Sequence, residues 1–283
     1  MTDIWVCGNC HSINRQRSKS CYKCRAPQAT AATDDGATHR QEQAIVMRTV
    51  VAYRPTAALG LATSMFLLGL AAVSVVAIVQ ELGLWTFFAG QLDNLKAPGS
   101  FDESAYQARL ADSAQVGLIS LAVVVPALFF FAAWLSRVVS NVPALGGGIP
   151  DTSPGRAFIA TLIPGLNLRT VPGVIQDVLY RLDPTGGGVF MVGIAWLGLV
   201  GSWILSWVAG KYIDLRLTFD IQNATSVDEF VERVRPLLTA AVVIDVVTGV
   251  LIAMGAVVLI MLMVRIERRS RTRDAEVRAV AGV

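Results

Sequence analysis

Four long apolar stretches dominate the chain, and the segments between them carry most of its charge. Residues 56–79, 113–136, 189–209 and 237–264 each run for about 20 residues or more with at most one ionisable side chain. At about 1.5 Å per residue, a helix of that length crosses a hydrocarbon core of about 30 Å. The pattern predicts an all-α multi-pass membrane domain over residues 46–264 with four transmembrane helices, and a basic tail over 265–283.

The connections add detail. Ser100-Phe-Asp-Glu103 and Ser226-Val-Asp-Glu229 both read as capping boxes, so helices two and four are predicted to start near Phe101 and Val227, with Pro236 a candidate break in the fourth. Two such signals at matching places suggest a duplicated helical hairpin. The middle connection is different. Between Gly146-Gly-Gly148 and Gly186-Gly-Gly188, an apolar run over 157–168 is too short to span and reads as interfacial, re-entrant or the end of a bent helix. Behind Pro172, the residues Val174, Ile175, Val178, Leu179 and Leu182 recur at helical spacing, which predicts an amphipathic helix of about three turns, stopped by Pro184. The whole 157–184 segment is expected at the cytoplasmic interface.

Composition agrees with a membrane domain: 54% of the 283 residues are hydrophobic and 16% charged, with a mean hydropathy of +0.55. Arginines sort the connections. Arg40, Arg48 and Arg54 precede the first span, Arg137, Arg156, Arg169 and Arg181 fill the middle connection, and Arg265, Arg268, Arg269, Arg271 and Arg273 follow the fourth. By the positive-inside rule both termini and the middle connection face the cytoplasm of the cell membrane. Lys211, Arg216, Arg233 and Arg235, on the outer side of that arrangement, run against the rule.

All four cysteines fall near the start, as Trp5-x-Cys7-x2-Cys10-x3-Asn14-x6-Cys21-x2-Cys24. Paired Cys-x2-Cys units at this separation suit a tetrahedral Zn2+, and a module of residues 1–27 has too little core to fold without one. Thiolates bound to zinc persist in a reducing compartment, and no secretory signal precedes them, which again points to the cytosol. The polar stretch over 28–45 reads as a disordered linker reaching about 25 Å. The pattern resembles the Ran-binding-protein class of four-cysteine zinc fingers, found in nucleoporins, ubiquitin receptors and RNA-binding splicing factors. The resemblance implies that Cys7, Cys10, Cys21 and Cys24 hold zinc, that Trp5 packs over the knuckles and that Asn14 ties the loop. Members that bind RNA use a stacking aromatic and two arginines; here Arg15 stands at the aromatic position, and only Arg17 of the arginine pair remains. Ubiquitin-binding members carry Thr-Phe where this chain has His11-Ser12. Arg15, Arg17 and Lys19 are left as a basic surface for phosphate or partner contact.

From Tyr53-Arg54-Pro55 through Ile163-Pro164-Gly-Leu-Asn167-Leu168, Pro172 and Asp177 to Arg181, the remainder resembles an uncharacterised actinobacterial family of four-helix membrane domains. Pro164 and Asn167 are its candidate site residues, and Asp245, the one acid within the four stretches, is a third, placed near the outer boundary. Gly198, Ser202, Ser206 and Gly210 form a small-residue stripe for close helix packing. Trp196, Trp203 and Trp207 mark another face, expected to meet lipid or core.

Enzymatic activity is not expected: the only histidines are His11 and His39, and no metalloprotease, nucleophile-elbow or phosphate-loop motif occurs. The leading expectation is a non-enzymatic membrane protein that displays a zinc-binding interaction module at the cytoplasmic face. Alternatives are a small transporter or channel regulated by the finger, and a membrane tether for RNA. Expected partners are the lipid bilayer, a cytoplasmic protein or nucleic acid at the finger, and further copies of the chain.

Overall fold

The computed structural model describes residues 4–7, 13–15, 20–21, 53–94, 102–183 and 188–281. The linker over 28–45 lies outside them. Within the described residues, short strands β1 (Ile4–Val6) and β2 (Ile13–Arg15) form an antiparallel hairpin, and the rest of the architecture is helical.

Each predicted span is a helix, and each helix outruns the apolar stretch that predicted it. α1 (Ala57–Asn94) and α2 (Glu103–Asn141) have 38 and 39 residues. α3 (Pro154–Leu162) and α4 (Pro164–Leu182) occupy the middle connection. The third crossing is composite: α5 (Val189–Trp196), a π turn over Leu197–Gly201, and α6 (Ser202–Asn223). The fourth, α7 (Val227–Ala281), has 55 residues, a rod of about 80 Å. Four of these segments are long and apolar enough to cross a membrane: Ala57–Leu92, Glu103–Asn141, Val189–Asp220 and Val227–Ala279. Their outward side chains are apolar. Leu61, Met65 and Val79 on α1 and Leu118, Leu121 and Val125 on α2 are all at least 60% exposed. Water would penalise such a surface heavily, whereas lipid solvates it, so the exposed faces define a multi-pass membrane protein.

The helices are arranged around α7, which packs on α1 and on the α5–α6 crossing, while α2 packs on α1. One end is closed by α3 and α4, which reach α2, α5 and α7. The main core lies at this end and includes Trp134, Leu135, Val139, Ile175, Leu262 and Ile266, each 1% exposed or less. Arg54, Arg137, Arg181, Arg265 and Arg269 belong to the same end, called the basic end here. The opposite, hairpin end has only a small cluster of Leu92, Val231 and Val234.

The basic tail over 265–283 continues α7 as helix to Ala281, since nothing at Val264 interrupts backbone hydrogen bonding. Several expectations are corrected. Pro236 lies inside α7 and does not break it; it stands in the third turn, where a proline removes one donor and the flanking turns carry the helix through. The amphipathic helix behind Pro172 starts earlier, at Pro164, with Pro172 inside it. The buried stripe of Val174, Ile175, Val178, Leu179 and Leu182 is as predicted, extended by Val171. Pro172 costs one hydrogen bond, to the carbonyl of Leu168, on a stretch of the helix whose side chains are largely exposed. The 157–168 run is the end of α3, a break at Ile163, and the start of α4. Ile163 is extended (φ −96°, ψ 113°), the conformation that a following proline imposes. Leu182 ends α4 one residue before the described segment closes at Asp183; Pro184, the expected stop, lies outside the described residues.

The two capping boxes differ as well. At α2 the cap is Asp102: its Oδ1 accepts from the Ala105 N–H at 3.0 Å and from the Ser104 hydroxyl at 2.8 Å. Glu103 instead accepts from Gln107 at 2.8 Å, so the helix starts at Glu103, two residues later than Phe101. At α7, Ser226 Oγ accepts from the Glu229 N–H at 3.2 Å, and Glu229 reaches one residue past the cap, to the Thr225 N–H at 2.9 Å. The start at Val227 is as predicted, but the caps are not equivalent, and they no longer argue for a duplicated hairpin.

Candidate functional site

At the N-terminal segment, the strand register pairs Trp5 with Asn14 and Val6 with Ile13. The two residues expected to brace the finger are therefore cross-strand partners, and the connection between the strands carries Cys7 and Cys10. Cys7 and Cys21 are 0% and 1% exposed. Cys10, Cys24, Arg17 and Lys19 lie outside the described residues, and Arg15 ends β2. Among the described residues no group of three or more His, Cys, Asp or Glu side chains could hold a metal; only two of the expected four ligands fall within that set.

The basic end assembles ion pairs and buried amides that hold helices distant in sequence. Arg181 donates from Nε to Asp177 at 2.7 Å, from Nη2 to Asp151 at 3.0 Å and from Nη1 to the Gly147 carbonyl at 3.3 Å. The turn carrying that carbonyl relies on glycine: Gly146 and Gly148 have φ near +75°, where other side chains are strained, and a Cβ at Gly147 would lie 2.6 Å from Val142. Asp183, 6% exposed at the end of α4, receives Arg269 at 2.9 Å and Arg265 at 3.5 Å. Asn141, 3% exposed, ties the end of α2 to the entry of α1: its Oδ1 accepts from the Arg54 N–H at 3.1 Å and its Nδ2 donates to the Arg54 carbonyl at 2.6 Å. Pro55 biases the residue before it toward extended backbone, and both main-chain groups of Arg54 meet the one amide. Trp134 Nε1 donates to Glu267 Oε1 at 3.2 Å, beside Gly60, where a Cβ would approach both partners.

Pro164 and Asn167, the candidates from the middle connection, form the α3–α4 elbow. Pro164 opens α4, and Asn167 Nδ2 donates to the Thr161 carbonyl at 2.8 Å, bridging the break at Ile163. Their role in the structure is to shape a tip whose apolar residues Ile159, Ile163 and Leu166 are exposed. Asp245 stands apart from them, partly buried on α7. Its neighbour is Glu81 of α1, close enough for the two carboxylates to interact electrostatically. Sequence reasoning missed Glu81 by ending the first apolar stretch at Val79. Continuing the helical register through Leu82, Leu84 and Trp85 is the signal that would have found it.

The small-residue stripe serves in its first half. A Cβ on Gly198 would lie 2.6 Å from the Leu251 carbonyl and 2.7 Å from the Cα of Gly255, so the π turn and α7 meet backbone to backbone. Ser202 is fully buried, but Gly210 has nothing within 4 Å. Trp203 and Trp207 are exposed at 61% and 60%, as lipid-facing residues should be, whereas Trp196 joins the core edge 6.4 Å from Phe131.

The helical domain and its exposed belt define a protein of the multi-pass membrane class. The chain belongs to the family described as a domain of unknown function (DUF4328), whose model matches residues 100–268. That match includes Pro164, Asn167, Asp177, Arg181 and Asp245 and begins after α1, so Tyr53-Arg54-Pro55 lies outside it. No zinc-finger family is detected in the N-terminal segment. No curated protein and no solved structure matches the chain.

Proposed function

We propose that this is a non-enzymatic protein of the cell membrane that displays a zinc-binding interaction module on the cytoplasmic side. The observation that carries the reading is the hairpin register: Trp5 opposite Asn14, with the first Cys-x2-Cys pair in the strand connection and Cys7 and Cys21 buried in a segment too short for an apolar core. That arrangement is what two Cys-x2-Cys pairs need to bring four thiolates to one Zn2+. Zinc would be held by Cys7, Cys10, Cys21 and Cys24, and Arg15, Arg17 and Lys19 would offer charge to a protein or nucleic-acid partner. A cytoplasmic placement of both termini is supported by the concentration of arginine at the basic end.

The test is metal analysis of the full-length protein in detergent. One zinc per chain is expected, and Cys21→Ser with Cys24→Ser should remove it while leaving membrane insertion intact. A wild-type chain purified without zinc overturns the proposal. A second reading, a small transporter or channel, draws support from two partly buried acids, Asp245 on α7 and Glu81 on α1, near enough to interact electrostatically. It requires a flux into liposomes that Asp245→Asn abolishes.

A further inference from the structure

We propose that α7 carries, at the basic end, a binding site for one anionic phospholipid. A groove of about 450 Å³ lies along one face of this helix, lined by Ile260, Met261, Val264, Arg265, Arg268 and Arg269. These positions fall in two adjacent rows at helical spacing, 260, 264, 268 and 261, 265, 269, so the face changes character along its length. Its first turn is aliphatic and its last turns are guanidinium. The change falls at Arg265, the first charge after 19 residues without one, from Val246 to Val264. That is where the helix leaves hydrocarbon for headgroups.

This face keeps charge for a ligand at Arg268. Asp183 pairs with both of its neighbours, Arg269 at 2.9 Å and Arg265 at 3.5 Å. Arg268 is exposed, and among the described residues no ion pair engages its side chain. The nearby acid Glu267 turns the other way, toward Trp134 and Gly60. Asp183 therefore orients two arginines while Arg268 keeps the face cationic, beside an apolar wall of Ile260, Met261 and Val264. A phosphate diester with a further anionic or neutral headgroup fits the upper part, and its first methylenes fit Ile260, Met261 and Val264. Zwitterionic lipid brings an ammonium to the same cationic face and fits less well.

The experiment uses full-length protein in detergent, with lipid added as phosphatidylglycerol or as phosphatidylcholine of identical chains, and counts bound lipids by native mass spectrometry. Wild type should retain one phosphatidylglycerol in preference to phosphatidylcholine. Arg268→Gln should weaken that preference about five-fold, the effect of one arginine near an anionic lipid surface, and Arg268→Gln with Arg269→Gln should weaken it further. Arg156→Gln, an exposed arginine on α3 at the same end, should leave the preference unchanged. Thermal unfolding in detergent without added lipid should be the same for Arg268→Gln and wild type, which separates lost binding from lost folding. Equal retention of the two lipids by wild type overturns the proposal, as does a preference that Arg268→Gln leaves intact or that Arg156→Gln reduces equally. Displacement of the phosphatidylglycerol by millimolar inorganic phosphate also overturns it, since the site would then read a free anion.

Discussion

The two ends of the helical bundle are held by different kinds of contact. At the basic end, α3 and α4 close over α2, α5 and α7, and a continuous buried cluster is crossed by polar ties between distant residues, such as Asn141 with Arg54 and Trp134 with Glu267. At the hairpin end, three buried residues form the cluster; its short polar contacts are local, Asp102 with Ala105, Ser226 with Glu229 and Arg233 with Glu229 one turn away, and the ties between helices are longer, Trp85 to Thr239 at 3.4 Å, Gln91 to the Asp102 N–H at 3.4 Å and Arg233 to Asp220 at 3.8 Å. A large buried core therefore orders the first end, whereas helix caps, local ion pairs and a few longer cross-helix contacts order the second. In a bilayer, where apolar burial between helices gains little over lipid contact, close packing and satisfied polar groups matter more than buried area.

That contrast breaks most visibly by deleting the core of one end. Trp134 is 1% exposed and stacked on Phe131 with ring centroids 5.7 Å apart. Trp134→Ala should cost about 4 kcal/mol in reversible unfolding from mixed micelles, through the cavity and the abandoned Glu267. Leu92→Ala at the hairpin end should cost about 2 kcal/mol by the same measurement. Equal losses would mean that the two ends are one cooperative core.

Close packing can be tested separately. Gly198→Val drives side-chain atoms into the backbone of Leu251 and Gly255, and about 2 to 3 kcal/mol of destabilisation is expected. Gly210→Val, from the same sequence stripe but with open space around it, should change stability by less than about 0.5 kcal/mol. The pair shows what a sequence stripe conveys. Spacing identified residues able to admit a neighbour; it did not say that α7 meets the stripe backbone to backbone at Gly198 and leaves Gly210 open.

The same limit applies to the rest of the molecule. The four spans, the buried stripe of α4 and the start of α7 were legible because hydrophobic periodicity and capping are properties of neighbouring residues. Asn141, Glu81 and the Gly198–Gly255 contact were not, since each gains its role from a partner on another helix. Asp102 was passed over for a different reason: Ser100 and Glu103 matched a capping box, and the aspartate between them competed for the same N–H groups and won. In the N-terminal segment, Trp5 and Asn14 were visible as motif residues, and the strand register is what makes them partners.

Intermediate effects come from one polar tie at each end. Asn141→Ala leaves the Arg54 N–H and carbonyl without their partner, and about 1 to 2 kcal/mol should be lost. Ser226→Ala, a helix cap at the other end, should cost about 1 kcal/mol. Hydrogen exchange should place the first loss on the α1 entry and the second within the opening turn of α7. Spread of either effect across the bundle would contradict the assignment of each tie to its own end.

The smallest effect belongs to Asp102. The Ala105 N–H first, and the Ser104 hydroxyl next, hold its carboxyl below the ordinary value of 3.8. A carboxyl lowered on folding adds stability above its unfolded value and loses it as pH falls through the folded one. The start of α2 should therefore keep its cap at neutral pH and fray only in acid below about 4. The Ala105 amide resonance should report the change, moving with pH in wild type and staying still in Asp102→Asn, while global stability scarcely alters. If the resonance moved identically in both proteins, the titrating group would be another one, and the cap at this helix would have to be sought elsewhere.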